Sequence, residues 1–382
     1  MRIFDTQVQK LKYKVQKSVA EHAFNGNLEK AYYDIPREIV DGTEATMRCC
    51  IYKERAIVEE RVNLVCGSDR SDDNIINVIP IACDECPVSS YEVTDLCRGC
   101  IARRCMENCP KGAISVVNHR ACIDPEKCIE CGKCASVCPY GAIISRKRPC
   151  EKTCKMHAIH VGPDKSAEID HSKCISCGAC VYQCPFGAVV DKSYILDAVY
   201  LLKSSANNSL SHIYAVLAPA IASQFSYSTM GQMVTGLKTL GFYKVVEAAL
   251  GADLVSDNES RELVEKGFLI SSCCHAFVDY IHKNFPDLVQ NISHNLSPMA
   301  AIGKYIKEKD SLAKVIFIGP CTAKKSEREK DPVNKYIDCV LTFEELQALI
   351  DSRDIQLADL PESELDDASF FGREFAKSGG LS

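Results

Sequence analysis

Residues 128–139 read CIECGKCASVCP, and residues 174–185 repeat the pattern as CISCGACVYQCP. Each run spaces its cysteines as C-x2-C-x2-C-x3-C and closes with a proline. Three thiolates on one tight loop suit three corners of an iron–sulfur cubane, and the proline turns the chain so that the fourth sulfur faces a neighbouring cluster. Two full copies predict a region that is organised around iron–sulfur clusters.

The two runs resemble the ligand set of bacterial ferredoxins, in which the fourth cysteine of each run binds the cluster of the other run. Sixteen of the 24 cysteines lie in such runs, or in shorter pairs, between Cys83 and Pro185. A disulfide-rich secreted scaffold is one alternative, but such scaffolds are small, whereas this chain has 382 residues and shows no export signal at its start. Zinc is a second alternative, although zinc sites favour two separated CxxC pairs.

Pairing the runs by the exchange rule gives a ligand hypothesis that uses these sixteen cysteines once each. The first predicted cluster takes Cys97, Cys100, Cys105 and Cys138; the second takes Cys109, Cys128, Cys131 and Cys134; the third takes Cys154, Cys174, Cys177 and Cys180; the fourth takes Cys83, Cys86, Cys150 and Cys184. The fourth set joins residues far apart in sequence, so the prediction is three or four 4Fe-4S clusters. The map resembles polyferredoxin subunits in which one ferredoxin-like pair is inserted inside another.

Composition excludes several classes of function. The net charge of −6 argues against nucleic-acid binding, which usually requires a basic face. No apolar run reaches membrane-spanning length, so no membrane partner is expected. Many cysteines without an export signal indicate reduced, metal-holding thiolates and a cytoplasmic location.

Residues 1–80 are predicted to be mostly helical, with one apolar face on the first helix and a second helix over residues 44–65. Lysines 10, 12, 14 and 17 make the first helix basic; a solvated face explains them, and contact with an acidic ferredoxin is the alternative. A strand is expected over residues 74–82. Cys49, Cys50 and Cys66 lack ligand-like spacing and are expected to be small buried hydrophobes, and Cys122 and Cys339 are likewise assigned structural roles.

From about residue 193 the pattern changes to alternating strands and helices, which indicates a mostly parallel sheet covered by helices. Strands are predicted over residues 213–217, 243–249, 268–271, 314–318 and 337–341, with Ser256 or Asp257 capping a helix that runs to Lys266. Ligands of such sheets bind beyond the carboxyl ends of the strands. Cys273, Cys274 and Cys321 all fall at predicted strand ends, which suggests a site.

Two segments at these positions resemble signatures of the iron-only (FeFe) hydrogenases. Residues 271–277 read SSCCHAF and are similar to the first signature; residues 319–327 read GPCTAKKSE and are similar to the second. Residues 251–263 resemble the stretch before the first signature, and residues 372–380 resemble the segment that leads to the third. The resemblance therefore extends from about Ala218 to the end, behind a cluster region.

The resemblance implies a six-iron H-cluster, a cubane joined through a cysteine to a di-iron unit with carbonyl, cyanide and a bridging dithiolate amine. On the matching positions Cys274 and Cys321 would bind the cubane, and Cys273 would exchange a proton with the amine. The remaining implied roles are a proton route through Glu259, Glu262 and Ser293, and a cyanide-binding donor at Lys324. A solvated helix face is the alternative for the two glutamates, and a surface pair with Lys325 is the alternative for Lys324.

Three departures from the family pattern stand out. His275 replaces the usual proline and Gly319 the usual methionine, which suggests a divergent subgroup. The third signature, which supplies the last two cubane ligands, is missing, so the sequence is expected to be C-terminally truncated and unable to complete the active centre alone.

These observations predict an α+β multidomain protein: a mostly helical region over 1–80, a ferredoxin-like polyferredoxin domain over 81–192, and an incomplete α/β hydrogenase large-subunit-type domain over 193–382. The resemblance implies reversible reduction of protons to hydrogen, with ferredoxin or a similar electron carrier and hydrogenase maturation proteins as partners. An electron carrier with a vestigial C-terminal half, a hydrogen sensor and a cluster-bearing scaffold are the rival hypotheses.

Overall fold

The computed structural model describes residues 4–67, 74–87, 91–369 and 371–374. It shows the predicted α+β multidomain architecture: a helical N-terminal region, a cysteine-rich region of short strand pairs, and an α/β unit with a parallel sheet. None of the described helices combines the length and the apolar character that a membrane span requires.

The N-terminal region consists of α1 (Gln7–Asn25), α2 (Leu28–Ala31), α3 (Ile35–Ile39) and α4 (Ile51–Cys66). The Thr6 hydroxyl caps α1 by accepting from the Gln9 N–H at 3.2 Å, and Gly26 ends the helix in the left-handed conformation. Val15 and Val19 are buried, as the apolar face predicts. The second long helix begins at Ile51, later than predicted.

Two predictions for this region are wrong. Lys12 does not lie on a solvated face, because its Nζ is 2.7 Å from a carboxylate oxygen of the buried Asp191 and 2.7 Å from one of Glu344. Cys49 and Cys50 are exposed rather than buried, since they precede α4 and the buried face of that helix starts only at Ile51.

The described residues of the cysteine-rich region form eight short strands and four short α-helices. The strands are β1 (Ile76–Val78), β2 (Tyr91–Val93), β3 (Ile114–Val117), β4 (Arg120–Ile123), β5 (Ile143–Ser145), β6 (Ile159–Val161), β7 (Ala167–Ile169) and β8 (Val189–Asp191). The helices are α5 (Arg104–Glu107), α6 (Lys133–Ser136), α7 (Pro149–Thr153) and α8 (Ala179–Gln183). The strand predicted over 74–82 is only β1, followed by a 3-10 turn at Pro80–Ala82.

These strands form antiparallel pairs that nest in sequence. Strands β2 and β5 pair, as do β3 and β4, and this inner unit covers residues 91–145. Strands β1 and β8 pair around it, with β6 and β7 as the companion pair, and this outer unit covers residues 76–87 and 149–191. One ferredoxin-like unit is therefore inserted inside another.

The α/β unit has a four-stranded sheet with the order β10-β9-β11-β12, and every neighbouring pair is parallel. Its strands are β9 (His212–Leu217), β10 (Lys244–Glu247), β11 (Ala313–Gly319) and β12 (Cys339–Thr342). Its helices are α9 (Ile195–Ser204), α10 (Ile221–Gln224), α11 (Met230–Leu240), α12 (Ala248–Lys266), α13 (His275–Asn284), α14 (Pro298–Lys309), α15 (Ala323–Glu329) and α16 (Phe343–Asp351). The predicted parallel sheet is confirmed.

Two boundaries in the α/β unit differ from the prediction. Helix α12 begins at Ala248, immediately after β10, so Ser256 and Asp257 lie inside it and cannot cap it. Alanine and leucine at positions 248–250 are strong helix formers, and they outweigh the strand-like run before them. Residues 268–271 form no strand of their own; Ile270 makes a single parallel bridge with Ile292.

Close packing of α12 on α14 fixes the helix that carries the two candidate glutamates. Gly251 makes this approach possible, because a Cβ at that position would lie 2.2 Å from the carbonyl oxygen of Pro298. Helix α12 thereby holds Glu259 beside the loop that precedes α13, and Glu262 beside the loop that precedes α14.

Candidate metal centres

The first predicted set of cluster ligands lies together in the inner unit. The Cys105 thiol is close enough to Cys100 and Cys138 for their charges to interact. Cys97 packs into the same apolar cluster as Cys105 and Cys138, and its sulfur accepts from the Ala121 N–H at 3.5 Å.

The second set lies beside the first. The Cys134 thiol interacts with Cys128 and with Cys109, which comes from the preceding run. Cys109, Cys128, Cys131 and Cys134 line one small cavity. The fourth cysteine of one run thus faces the first three of the next, as the exchange rule requires.

The outer unit repeats this arrangement. The Cys180 thiol interacts with Cys174, Cys177 and Cys154, which is the third predicted set. The fourth set is also brought together, although its members come from three segments: Cys86 interacts with Cys83 and Cys184, and Cys150 interacts with the same two residues.

Backbone amides solvate the sulfur of the last cysteine in each run. In each case the N–H of an alanine four residues later donates to that sulfur. The four bonds are Ala113 N to Cys109 Sγ at 3.2 Å, Ala142 N to Cys138 Sγ at 3.4 Å, Ala158 N to Cys154 Sγ at 3.3 Å, and Ala188 N to Cys184 Sγ at 3.2 Å. Such donors stabilise a thiolate that binds iron.

The four cysteine groups fit cubane clusters. Burial raises the pKa of the Cys150 and Cys180 thiols to about 12, so these sulfurs become thiolates when iron replaces their protons. Within the described ranges, no three His, Cys, Asp or Glu side chains converge closely enough to hold a single metal ion. A cubane instead offers each thiolate its own iron at a separate corner.

A further candidate site lies at the carboxyl end of the parallel sheet. Strand β11 ends at Gly319 and leads through Cys321 into α15, while Cys273 and Cys274 directly precede α13. Lys324 joins the two segments, because its Nζ donates to the carbonyl oxygen of Cys273 at 3.0 Å. The two cysteine signatures therefore meet at one site.

Lys324 is held by a second contact. Its Nζ lies 2.6 Å from Glu327 Oε2, and the Ser297 hydroxyl donates to the other oxygen of that carboxylate. The Lys324 side chain is 13% exposed and Glu327 6%, so this ion pair is largely shielded from water. The alternative of a surface pair with Lys325 is wrong, since Lys325 is fully buried and bound to other carboxylates.

Glu259 lies against the first signature. The Ser271 hydroxyl is 3.0 Å from both oxygens of the Glu259 carboxylate, and the Ser272 N–H donates to that carboxylate at 3.2 Å. Ser271 also accepts from the Cys273 N–H at 3.3 Å. Glu259 is buried, so the solvated-face alternative is wrong for this residue.

Glu262, one helical turn further, binds a second group of polar residues. Its carboxylate accepts from the Ser293 hydroxyl at 2.9 Å and from the Asn295 amide at 2.9 Å, and it pairs with Lys266 at 2.7 Å. Burial alone would raise the pKa of Glu262, but the hydrogen bonds from Lys266, Ser293 and the backbone outweigh it and hold that pKa below its usual value. Glu262 is therefore ionised at neutral pH, and with a side chain only 12% exposed it does not form a solvated face.

The third cysteine group contacts the signature site directly. The Thr322 hydroxyl, next to Cys321, donates to the carbonyl oxygen of Ser176 at 2.8 Å. The Lys283 ammonium group of α13 donates to the carbonyl oxygen of Cys174 at 2.7 Å. The loop of this group is therefore bonded to the second signature and to α13, the helix that begins within the first signature.

Packing constrains the two unusual residues in the signatures. Gly319 lies under Phe317, whose ring would be 2.7 Å from an added Cβ, so a larger residue requires a different packing of that ring. His275 is largely buried at the start of α13, with Nε2 3.4 Å from Asp279 but outside hydrogen-bond geometry. Burial lowers the pKa of His275, so this side chain is neutral at neutral pH.

Sequence reasoning did not identify several residues of the site. Ser271 and Ser272 were quoted only as part of the signature, and Asn295 and Lys266 were not considered. Asn295 also joins the two carboxylate groups, because its carbonyl oxygen accepts from the Ser272 hydroxyl at 2.7 Å. Serines within the signature and an asparagine two residues after Ser293 were the available signals.

The segment resembling the approach to the third signature is described only in part. Arg373 pairs with Glu247 at 2.9 Å, which ties it to the end of β10. Residues 375–380 of that segment lie outside the described residues.

Comparison with protein families matches three parts of the chain. Residues 211–382 match the C-terminal domain of the iron only hydrogenase large subunit. Residues 96–142 match a 4Fe-4S dicluster domain, and residues 167–190 match a 4Fe-4S binding domain.

Three curated proteins are similar in sequence. Iron hydrogenase 1 of Clostridium pasteurianum is 30% identical over 305 residues, which are 71% of this chain and 52% of that protein. The NADP-reducing hydrogenase subunit HndD of Solidesulfovibrio fructosivorans is 26% identical over 318 residues, 73% of this chain and 47% of that one. The cytosolic Fe-S cluster assembly factor NAR1 of Meyerozyma guilliermondii is 35% identical over 132 residues, 29% of this chain and 25% of that one. The chain spans about half the length of the first two relatives.

Proposed function

We propose that this chain is a divergent FeFe-hydrogenase-like protein with ferredoxin-type 4Fe-4S domains, and that the full-length protein catalyses the reversible reduction of two protons by two electrons to hydrogen. The contact between Lys324 and the carbonyl oxygen of Cys273 carries the proposal, because it brings both signatures to one site. Cys274 and Cys321 would supply two thiolates to an H-cluster there. When bound, that group supplies the bond chemistry and the 4Fe-4S clusters supply single electrons.

The chain's own residues supply the proton. The Cys273 thiol is the proposed last donor, and a thiol suits this role when its sulfur is not metal-bound. Ser271 connects the Cys273 backbone to the Glu259 carboxylate. Glu262 is the next proton-carrying group, one helical turn from Glu259 on the same face of α12. The hydroxyl of Ser293, in the loop before α14, donates to Glu262. Low exposure along this series limits competing proton exchange with water.

Lys324 holds a positive charge beside the first signature. An ammonium group has three donors, and among the described residues its hydrogen-bond partners are Glu327 and the carbonyl of Cys273. One donor is therefore left for an anionic ligand of the di-iron unit. A charged donor in a shielded site binds an anion more strongly than one at the surface.

The contact of Thr322 with the Ser176 loop supports electron delivery through the third cysteine group. We propose ferredoxin or a similar carrier as the external electron source, maturation proteins as the source of the di-iron unit, and a cytoplasmic location.

Gas measurement tests this proposal. The full-length protein is produced with hydrogenase maturation proteins, and hydrogen is measured with reduced methyl viologen. We expect hydrogen evolution, and a loss of about 10²–10⁴-fold in Cys273→Ala at unchanged iron content, the range that general acid catalysis contributes. The exposed Cys122 provides the control, since Cys122→Ala should keep the full rate. A fully loaded protein that makes no hydrogen overturns the proposal.

A second candidate is a non-catalytic iron–sulfur role, which the similarity to the assembly factor NAR1 supports. That relative aligns with 29% of this chain, whereas Iron hydrogenase 1 aligns with 71%. The same gas measurement separates the candidates, because a non-catalytic protein retains iron and produces no hydrogen at any loading.

A further inference from the structure

The fourth cysteine group (Cys83, Cys86, Cys150 and Cys184) is assembled from three segments of the chain. Three of its members are buried, with exposures of 3% for Cys83, 4% for Cys150 and 6% for Cys184. The family matches cover residues 96–142 and 167–190, so they reach only one of the four cysteines. The matched 4Fe-4S family models therefore do not assign this group a cluster.

Arg148 lies fully buried against the group. Its Nη1 is 3.5 Å from Cys83 Sγ, its Nε donates to the carbonyl oxygen of Pro87 at 2.9 Å, and its Nη2 donates to that of Lys165 at 2.6 Å. The two carbonyl contacts fix the guanidinium plane, so that the remaining nitrogen is directed at the sulfur. The Ala167 N–H donates to the same sulfur at 3.3 Å.

Two more arginines approach from the N-terminal region. Arg61 is 5% exposed, donates to the carbonyl oxygen of Gly187 at 2.6 Å, and interacts electrostatically with Cys184. Burial lowers the pKa of Arg61 to about 10, so it is still charged at neutral pH. Arg48 interacts with Cys86 and stacks over Phe186, with its guanidinium carbon 4.9 Å from the ring centroid. We refer to Arg48, Arg61 and Arg148 as the arginine cage.

Among the described residues, the cage makes few close ion pairs, although Asp164 lies near enough to Arg148 for their charges to interact. Within the described part of the chain, neither Arg61 nor Arg148 forms an ion pair, and the carboxylate contacts of Arg48 are long, at 3.4 Å and 3.8 Å. Buried polar atoms of the cage also lack a hydrogen-bond partner there, namely Arg48 Nη1 and Arg61 Nε. An unpaired buried charge is costly, so an anionic group between the arginines would stabilise them.

The other cysteine groups have a different electrostatic setting. The leading interactions of Cys105 and Cys134 are with other thiols and backbone amides, without a basic side chain. Near the third group, Lys283 is the basic residue, and its ammonium group is bonded to a carbonyl oxygen. Among the described residues, Arg61 and Arg148 are the buried arginines, and both lie against the fourth group.

We propose that the fourth cysteine group holds a 4Fe-4S cluster whose reduction potential the arginine cage makes the highest in the cysteine-rich region. Reduction adds one electron from a one-electron carrier, converts one ferric iron equivalent to ferrous, and leaves the four thiolate bonds intact. Burial disfavours the added negative charge, and three nearby guanidinium groups favour it through low-dielectric contacts. The inference rests on the cluster-binding part of the proposed function and is independent of hydrogen chemistry.

Iron content tests the site. The 382-residue chain is reconstituted anaerobically with iron and sulfide. We expect Cys150→Ala to lose about four irons, one cluster, relative to wild type, whereas Cys122→Ala, at an exposed cysteine outside all four groups, should lose none. Equal iron content in Cys150→Ala and wild type would overturn the site.

A redox titration followed by electron paramagnetic resonance tests the cage. We expect the highest-potential signal to vanish in Cys150→Ala. In Arg148→Met the reduction potential of that signal should fall by at least 59 mV, which is a tenfold change in the one-electron equilibrium constant. Arg148→Lys should retain most of the wild-type potential. Arg146→Met is the matched control, because Arg146 is 49% exposed and pairs with Glu92.

Arg61→Met provides a second variant if Arg148→Met does not fold, and the same downward shift is expected. A highest-potential signal that survives Cys150→Ala, or that moves no further in the cage variants than in Arg146→Met, contradicts the proposal. Since no hydrogen is measured, the outcome is separate from that of the proposed function.

Discussion

Lys325 is fully buried, and its Nζ lies 2.9 Å from Asp191 Oδ2, which joins the α/β unit to the last strand of the outer unit. The same ammonium group is 2.9 Å from Glu345 of α16. The other oxygen of Asp191 binds Lys12 of α1 at 2.7 Å. The three regions of the chain therefore meet at one buried carboxylate, which fixes the cysteine groups relative to the signature site.

We expect Lys325→Met to destabilise the protein strongly. The change leaves Asp191 and Glu345 buried without their shared counter-charge, and removing one partner of a buried pair typically costs about 3–5 kcal/mol. Denaturant unfolding followed by circular dichroism measures the effect. Lys330→Met is the control, since Lys330 is 48% exposed where it pairs with Asp279, and such surface pairs contribute at most about 1 kcal/mol. Equal losses in the two variants would show that the network is not what joins the regions.

The same network predicts that the free energy of unfolding depends on pH. Burial alone would raise the pKa of Asp191, but Lys12 and Lys325 outweigh it and hold that pKa well below its usual value. A depressed folded-state pKa gives stability that is present above the unfolded pKa of about 3.9 and is lost as the pH falls through the folded value. We expect the difference in unfolding free energy between wild type and Asp191→Asn to be constant from about pH 6 to 8 and to shrink below about pH 4. A difference that does not depend on pH would contradict this.

Ser293→Ala tests the proton route. The change removes one of the hydrogen bonds that lower the pKa of Glu262, so that pKa should rise, and it removes a hydroxyl from the route. In the loaded full-length protein we expect hydrogen evolution to fall by about 10²-fold or more. Ser260→Ala is the control, because Ser260 lies on the exposed side of α12 and bonds only to the Asp257 carbonyl among the described residues. Equal rates in the two variants would exclude Ser293 from the route.

The spacing of the cysteines was sufficient to predict the cluster-binding units, because a cluster fixes where its thiolate ligands must lie. The C-x2-C-x2-C-x3-C-P runs predicted the nested ferredoxin-like units, because a cubane needs three sulfurs on one loop and a fourth from elsewhere. The fourth cysteine group was the least expected, since Cys83 and Cys150 are 67 positions apart. The pairing of β1 with β8 brings the segment of Cys83 to that of Cys184, which spacing alone does not indicate.

Burial of charge was not predictable in the same way. A lysine on a basic helix face predicts solvent exposure, yet Lys12 reaches a buried carboxylate that is 179 residues away in sequence. The sequence suggested a surface pair of Lys324 and Lys325. These neighbours on α15 instead bind different carboxylates, Glu327 for Lys324 and Asp191 for Lys325. No sequence motif included Arg148, so its burial against Cys83 was not predicted. Such partners depend on tertiary contacts, and neither periodicity nor propensity records them.

Gly178→Ala tests whether the third cysteine group must contact the signature site closely. Gly178 has φ +76°, and a Cβ there would lie 2.7 Å from the Thr322 hydroxyl oxygen. Gly141 provides the matched control, with φ +58° and no described atom within 4 Å of an added Cβ. Both variants should lose about 1–2 kcal/mol from the left-handed conformation, and Gly178→Ala should lose about 1–3 kcal/mol more from overpacking.

A double variant isolates the contact in that comparison. Thr322→Ala removes the atoms that the new Cβ meets, so the additional loss in Gly178→Ala should disappear in the Thr322→Ala background, which is the non-additivity expected of residues in contact. Denaturant unfolding measures the cycle in the 382-residue chain, and hydrogen evolution in the loaded full-length protein should follow it. If the two changes are additive, the Ser176 loop does not depend on Thr322, and a close junction between the third cysteine group and Cys321 loses its structural support.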